Sequence, residues 1–246
     1  MFAHPRLSSP RCRSSKLWPV GGWPLVLTAV LMIGPTDSSA GDHTAGSQAA
    51  SEHNADADDQ AKSRPDWKPL EIGSGGSWVE SRFGGDGEIK IGDGVISLGF
   101  GDPLTGVRWE GEFPKLNYEI SLEARRTAGF DFFCGMTVPV GDQRCSLILG
   151  GWGGSLIGLS SIGGEDAANN ETMMIREFEQ NRWYKIRMRV AEKRIQVWLD
   201  DEEIIDFERD DRPLDIRAEM EQSTPVGVAA FQCESQIRNV RVRRLP

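Results

Sequence analysis

Hydrophobic and polar positions alternate most regularly in the last third of the chain. Tyr184, Ile186, Met188 and Val190 alternate with Lys185, Arg187 and Arg189. After a Glu192–Lys193 turn, Ile195, Val197 and Leu199 alternate with Gln196, Trp198 and Asp200. A period of two is what a sheet with one buried and one wet face requires. Folding about the turn sets Val190 against Ile195, Met188 against Val197 and Ile186 against Leu199, so one register buries every apolar side chain.

The same pattern recurs upstream. Asp86-Gly87 and Asp93-Gly94 are turn dipeptides, and folding about the second pairs Ile91 with Ile96 and Ile89 with Leu98. Tyr118, Ile120, Leu122 and Ala124 take a buried parity, followed by a turn predicted near Thr127-Ala128-Gly129. Phe132, Cys134, Met136 and Val138 continue it, and beyond Gly141-Asp142 so do Cys145, Leu147 and Leu149. Only Leu214 to Met220 suits a helical turn. Many short strands without an amphipathic helix predict an all-β sandwich of two antiparallel sheets with jelly-roll connectivity, a closed barrel being the alternative.

Three segments are expected. Residues 1–40 read as a signal peptide: Arg6, Arg11, Arg13 and Lys16 precede the apolar run Leu25 to Ile33, and small residues stand at Ser38-Ser39-Ala40. The apolar run is nine residues long, against about 20 for a bilayer span. Residues 41–65 hold no large apolar side chain and predict a disordered acidic linker. Residues 66–246 form the sandwich. The implied location is exported, periplasmic or extracellular, with no stable membrane insertion after cleavage.

Composition removes several chemistries. His4, His43 and His53 all precede residue 66, so the sandwich has no histidine for a general base, a Ser-His-Asp triad or a histidine-ligated zinc. Without residues 1–40 the chain carries 24 basic and 36 acidic side chains, a formal charge of −12, which disfavours nucleic acid as a partner. Cys134 and Cys145 fall on one core face about four residues apart, on the order of 13 Å, beyond disulfide reach. Buried thiols are expected, with Cys233 bonded to one of them as the lesser case.

The predicted pairings bring chemistry together. A hairpin about Thr127-Ala128-Gly129 sets Arg125 opposite Asp131 and Glu123 opposite Phe133, and the Gly141-Asp142 hairpin sets Asp131 opposite Trp152. Glu123, Arg125, Asp131, Phe133 and Trp152 would then share one outer face. An indole stacks on a sugar's C–H face, carboxylates bind hydroxyls or move protons, and an arginine holds developing negative charge. Cross-strand ion pairing alone also accounts for Glu123 and Arg125. A tight bend burying the indole equally suits Trp152 within Gly150-Gly151-Trp152-Gly153-Gly154. Glu165, Asp166, Asn169 and Glu171 crowd oxygen donors into one loop, a candidate site for calcium or another divalent metal; a solvated polar loop is the plainer reading.

Several segments form a further pattern: Trp67-Lys68-Pro69-Leu70 with Gly73 and Trp78, Gly94-Val95, Glu123-Ala124-Arg125 and the Gly135 strand. Arg182-Trp183-Tyr184-Lys185, Ile195 to Asp200, and Gly227 with Ile237-Arg238-Asn239-Val240 complete it. Together these segments resemble the 3-keto-disaccharide hydrolase domain family. The resemblance implies a concanavalin-like jelly roll acting on glycosides oxidised at C3. The ketone acidifies the C2 proton, so a carboxylate removes it, the C1 substituent leaves, and water adds back. Asp131 or Glu123 is then the expected base, Arg125 the enolate stabiliser, and Trp152 with Phe133 the sugar contacts. The largely apolar Cys145 to Trp152 stretch departs from the polar, acid-containing strand expected of the family, which leaves a non-catalytic carbohydrate-binding or interaction module as the alternative. A structural envelope protein docking a partner is a third reading.

Overall fold

The computed structural model describes residues 66–246; the expected signal peptide and linker lie outside the described residues. In chain order the strands begin with β1 (Lys68–Pro69), β2 (Gly76–Glu80), β3 (Ile89–Gly92), β4 (Val95–Leu98) and β5 (Leu104–Gly111). Next come β6 (Tyr118–Gly129), β7 (Cys134–Val140), β8 (Gln143–Gly150), β9 (Leu156–Ser160) and β10 (Met174–Ile175). The remainder are β11 (Tyr184–Val190), β12 (Arg194–Leu199), β13 (Glu202–Glu208), β14 (Gly227–Phe231) and β15 (Cys233–Arg244). The helical turn falls at Ala218–Ser223, later than Leu214 to Met220.

Two antiparallel sheets form a jelly-roll sandwich. The larger runs β13-β12-β11-β6-β15-β4-β3, with β1 against β15. The smaller runs β10-β9-β8-β7-β14-β5-β2. Three hairpin registers agree with the apolar pattern: Met188 pairs with Val197, Ile91 with Ile96, and Val138 with Cys145. Tyr118, Ile120, Leu122 and Ala124 of β6 pack in one core with Cys134, Met136, Val138, Cys145, Leu147 and Leu149 of β7 and β8. Each such aliphatic side chain contributes roughly 1.5–3 kcal/mol relative to exposure. Cys134, Cys145 and Cys233 are free and buried. Burial pushes all three thiols up to about 12, which the Arg126 charge partly opposes at Cys233.

The expected hairpin about Thr127-Ala128-Gly129 is not formed. β6 continues through Gly129, between β11 and β15, and Phe130 to Phe133 then carry the chain into the smaller sheet. Close packing on β15 explains the continuation: a Cβ on Gly129 would lie 2.6 Å from the Cys233 Cα. Arg125 therefore pairs with Gln236, and Glu123 with Lys185 and Arg238. The strict alternation also fails just before β7. Phe133 is fully buried, edge-on to Phe178 and near Tyr184, whereas Phe132 turns to the outer side of the smaller sheet.

Candidate functional site

Across β9, β8, β7, β14 and β5, the outward positions of the smaller sheet form rows. One row is Ser160, Ser146, Thr137 and Gly227; the next is Gly158, Ile148, Gly135, Ala229 and Gly106. The small residues let other segments settle on the sheet. A Cβ on Gly135 would lie 2.8 Å from the Phe132 ring and 3.3 Å from the Met220 methyl. Phe132, Phe231, Met220, Leu104 and Ile148 leave between them a cavity of about 250 Å³. Asp131, Ser146, Trp152, Ser160, Arg217 and Glu219 complete its walls.

Trp152 stands at this cavity on the Gly150–Gly154 turn. Its own φ and ψ are both 50°, a left-handed conformation uncommon for a bulky residue. The turn is fastened from two sides. Asp131 accepts hydrogen bonds from the Phe132 amide (2.8 Å) and the Gly153 amide (3.1 Å). Arg126 donates to the carbonyls of Asp131, Gly154 and Phe178. No room exists for a side chain at Gly154, where a Cβ would meet the Phe130 carbonyl at 2.5 Å. The indole is nonetheless 47% exposed. The backbone of the turn is braced while its tryptophan stays in solvent beside the cavity.

Charge gathers on one wall. Arg217 bridges Glu219 and Asp166. Burial raises the Glu219 pKa, but the Arg217 hydrogen bond and charge outweigh it and hold the carboxyl below the usual range. In the expected metal loop, Asp166 also accepts from Asn169 (2.7 Å). Glu171 is held low by its hydrogen bonds from Arg212. Among the described residues no group of three or more His, Cys, Asp or Glu converges to hold a metal ion. Two carboxylates of that loop, Asp166 and Glu171, carry guanidinium partners, Arg217 and Arg212.

The five residues expected on one face are divided. Asp131 and Trp152 meet at the cavity, as the Gly141-Asp142 register implied. Glu123 and Arg125 lie on the outer face of the larger sheet. There Glu123 accepts from Arg238 (2.9 Å) and Asn239 (2.8 Å), and these partners hold its pKa low despite burial. Arg125 bonds Gln236 and stacks on Trp183, 4.6 Å from the ring centroid. Phe133, expected on the outer face, is instead fully buried in the core. Sequence reasoning missed Phe132, Ser160, Arg217, Glu219, Met220 and Phe231. The outward parity of Ser146 and Ser160 carried a signal; Arg217 and Glu219 sit in irregular chain and carried none.

The sheets and their connections define a jelly-roll β-sandwich of the concanavalin-like class. Within that class, the chain belongs to the 3-keto-alpha-glucoside-1,2-lyase-like domain family, whose model matches residues 61–243. Similar solved structures include a carbohydrate-binding module from Bacillus subtilis, at 11% identity and TM-score 0.48, covering 68% of this chain and 94% of that one. Another comes from work on endo-acting O-glycanases of the human gut microbiota that initiate mucin breakdown, at 14% identity and TM-score 0.49, covering 69% and 92%. A third is domain 4 of an extracellular arabinanase from Geobacillus stearothermophilus with arabinotriose, at 13% identity and TM-score 0.46, covering 72% and 90%. At these scores the likeness does not extend to any ligand or site. No curated protein matches the chain in sequence.

Proposed function

We propose that this domain binds a glycoside in the Trp152 cavity, with the sugar's C–H face on the indole. Its hydroxyls meet Asp131, Arg217 and Glu219. The observation that carries the reading is an exposed tryptophan, on a braced turn, at a cavity lined by apolar and charged side chains. Family membership supports a glycoside oxidised at C3 as ligand. The basic, apolar and small-residue pattern of residues 1–40 supports export. No helix among the described residues is long and apolar enough to cross a membrane.

Cleavage is the second reading, favoured by Asp131, which makes no ion pair among the described residues. On this reading Asp131 takes the C2 proton and the C1–O bond breaks, the departing oxygen taking a proton from water; the remaining hydroxide adds at C1 and Asp131 returns its proton to C2, which completes hydrolysis. Arg217, at the same cavity, steadies the enolate oxygen. One calorimetric and turnover assay with 3-keto-trehalose tests both. Trp152→Ala should weaken binding at least tenfold with the melting temperature unchanged, and equal affinity would remove the binding reading. Asp131→Asn should abolish turnover; a wild type that binds without turnover leaves a binding module.

A further inference from the structure

Three hydroxyls stand side by side across three strands at the cavity. Thr137 pairs with Ser146, and Ser146 with Ser160, in the registers of β7, β8 and β9. All are buried, Ser160 to 1% exposure. Their needs are met unequally. Thr137 Oγ1 and Ser146 Oγ share a 2.8 Å hydrogen bond, whereas Ser160 Oγ has no partner among the described residues. Ser146 and Ser160 both line the cavity, beside Ile148, Phe132 and Met220. Ser81, Ser223 and Ser235 are likewise without partners among the described residues, but of these four serines only Ser160 lines the cavity, where an entering ligand can supply the missing bond.

From this we infer that Ser160 is a specificity-determining residue of the cavity, reading one uncharged ligand oxygen. The inference rests on the glycoside reading above. A serine hydroxyl can donate to a ketone or exchange bonds with an alcohol. Its neighbours in the sheet, Ser146 and Thr137, supply no charge, so the hydroxyl row matches a neutral sugar oxygen. The charged groups, Asp131, Arg217 and Glu219, serve other positions on the ring. The division gives the site a polarity: a sugar that lacks an oxygen at the Ser160 wall leaves the serine unpaired in the complex as well, a mismatch that binding sites penalise strongly.

The orphan state makes the test clean. Ser160→Ala removes no hydrogen bond from the protein, so the melting temperature should not fall. Calorimetric titration with 3-keto-trehalose and with trehalose should show affinity for the better ligand falling about tenfold, the scale of one neutral hydrogen bond. Ser146→Ala, which breaks an internal pair, should lower the melting temperature instead. Unchanged affinity in Ser160→Ala, alongside loss in Trp152→Ala, would overturn the Ser160 assignment and leave the glycoside reading standing. A melting-temperature change with unaltered affinity would likewise overturn it, since that is the mark of a structural hydroxyl. Failure of the wild type to bind either sugar would overturn both.

Discussion

Glu119 shows how much a single side chain governs. Its carboxylate is 0% exposed yet ionised, because Arg187, Arg189 and Arg243 surround it on the outer face of the larger sheet. Distances are 3.1 Å to Arg187, 2.8 Å to Arg189 and 2.7 Å to Arg243. Burial pushes its pKa up, but the hydrogen bonds and charges of Arg189 and Arg243 prevail and set it below the ordinary value. A carboxyl whose folded pKa is depressed stabilises the fold above its unfolded value, near 4.3, and loses that contribution as pH falls through the folded value. Denaturant unfolding between about pH 7 and pH 3 should therefore show a shallower acid loss in Glu119→Gln than in the wild type. At neutral pH Glu119→Ala should cost about 3–5 kcal/mol, since three guanidinium groups lose their counter-charge. In sequence Glu119 falls between Tyr118 and Ile120 of the buried parity, hence outward; that three arginines from β11 and β15 converge on it is a product of strand order.

At the scale of elements, the hairpins were legible and the sheet exchange was not. In β11–β12, β3–β4 and β7–β8 the apolar parity and a short turn leave one acceptable register, and the structure adopts it. After β6 the same cues mislead, because a chain that folds back and a chain that crosses to the facing sheet both bury alternate residues. What decides is β15, whose residues 233–244 occupy the edge of β6 that β7 would need. The Trp152 turn was legible as a bend but not in its bracing by Asp131 and Arg126. That bracing makes it sensitive: Gly154 has φ +112° and no space for a Cβ. Gly154→Ala should destabilise by more than about 1 kcal/mol and reduce ligand affinity by displacing Trp152. Thermal unfolding and calorimetry on the same sample measure both effects.

Across the whole molecule the two outer faces are chemically distinct. The larger sheet presents arginines stacked on tryptophans, with Arg187 3.6 Å and Arg238 4.0 Å from the centroids of Trp198 and Trp183, so these rings are already occupied. On the smaller sheet no arginine stacks on Trp152 among the described residues, and its ring stands beside the cavity. Of the five expected residues, the sequence brought Asp131 and Trp152 together because their register lay within a single hairpin; Glu123 and Arg125 depended on which sheet each strand joins, and Phe133 on where the alternation breaks. The position of β15 has one more consequence. It fills the middle of the larger sheet, between β6 and β4, and ties Arg238 to Glu123 across 115 residues of chain. Assembly of that sheet must therefore await synthesis of β15, which follows every other strand it joins. A chain ending at Gln232 should lack a cooperative melting transition, whereas one losing only Leu245 and Pro246 should melt like the parent.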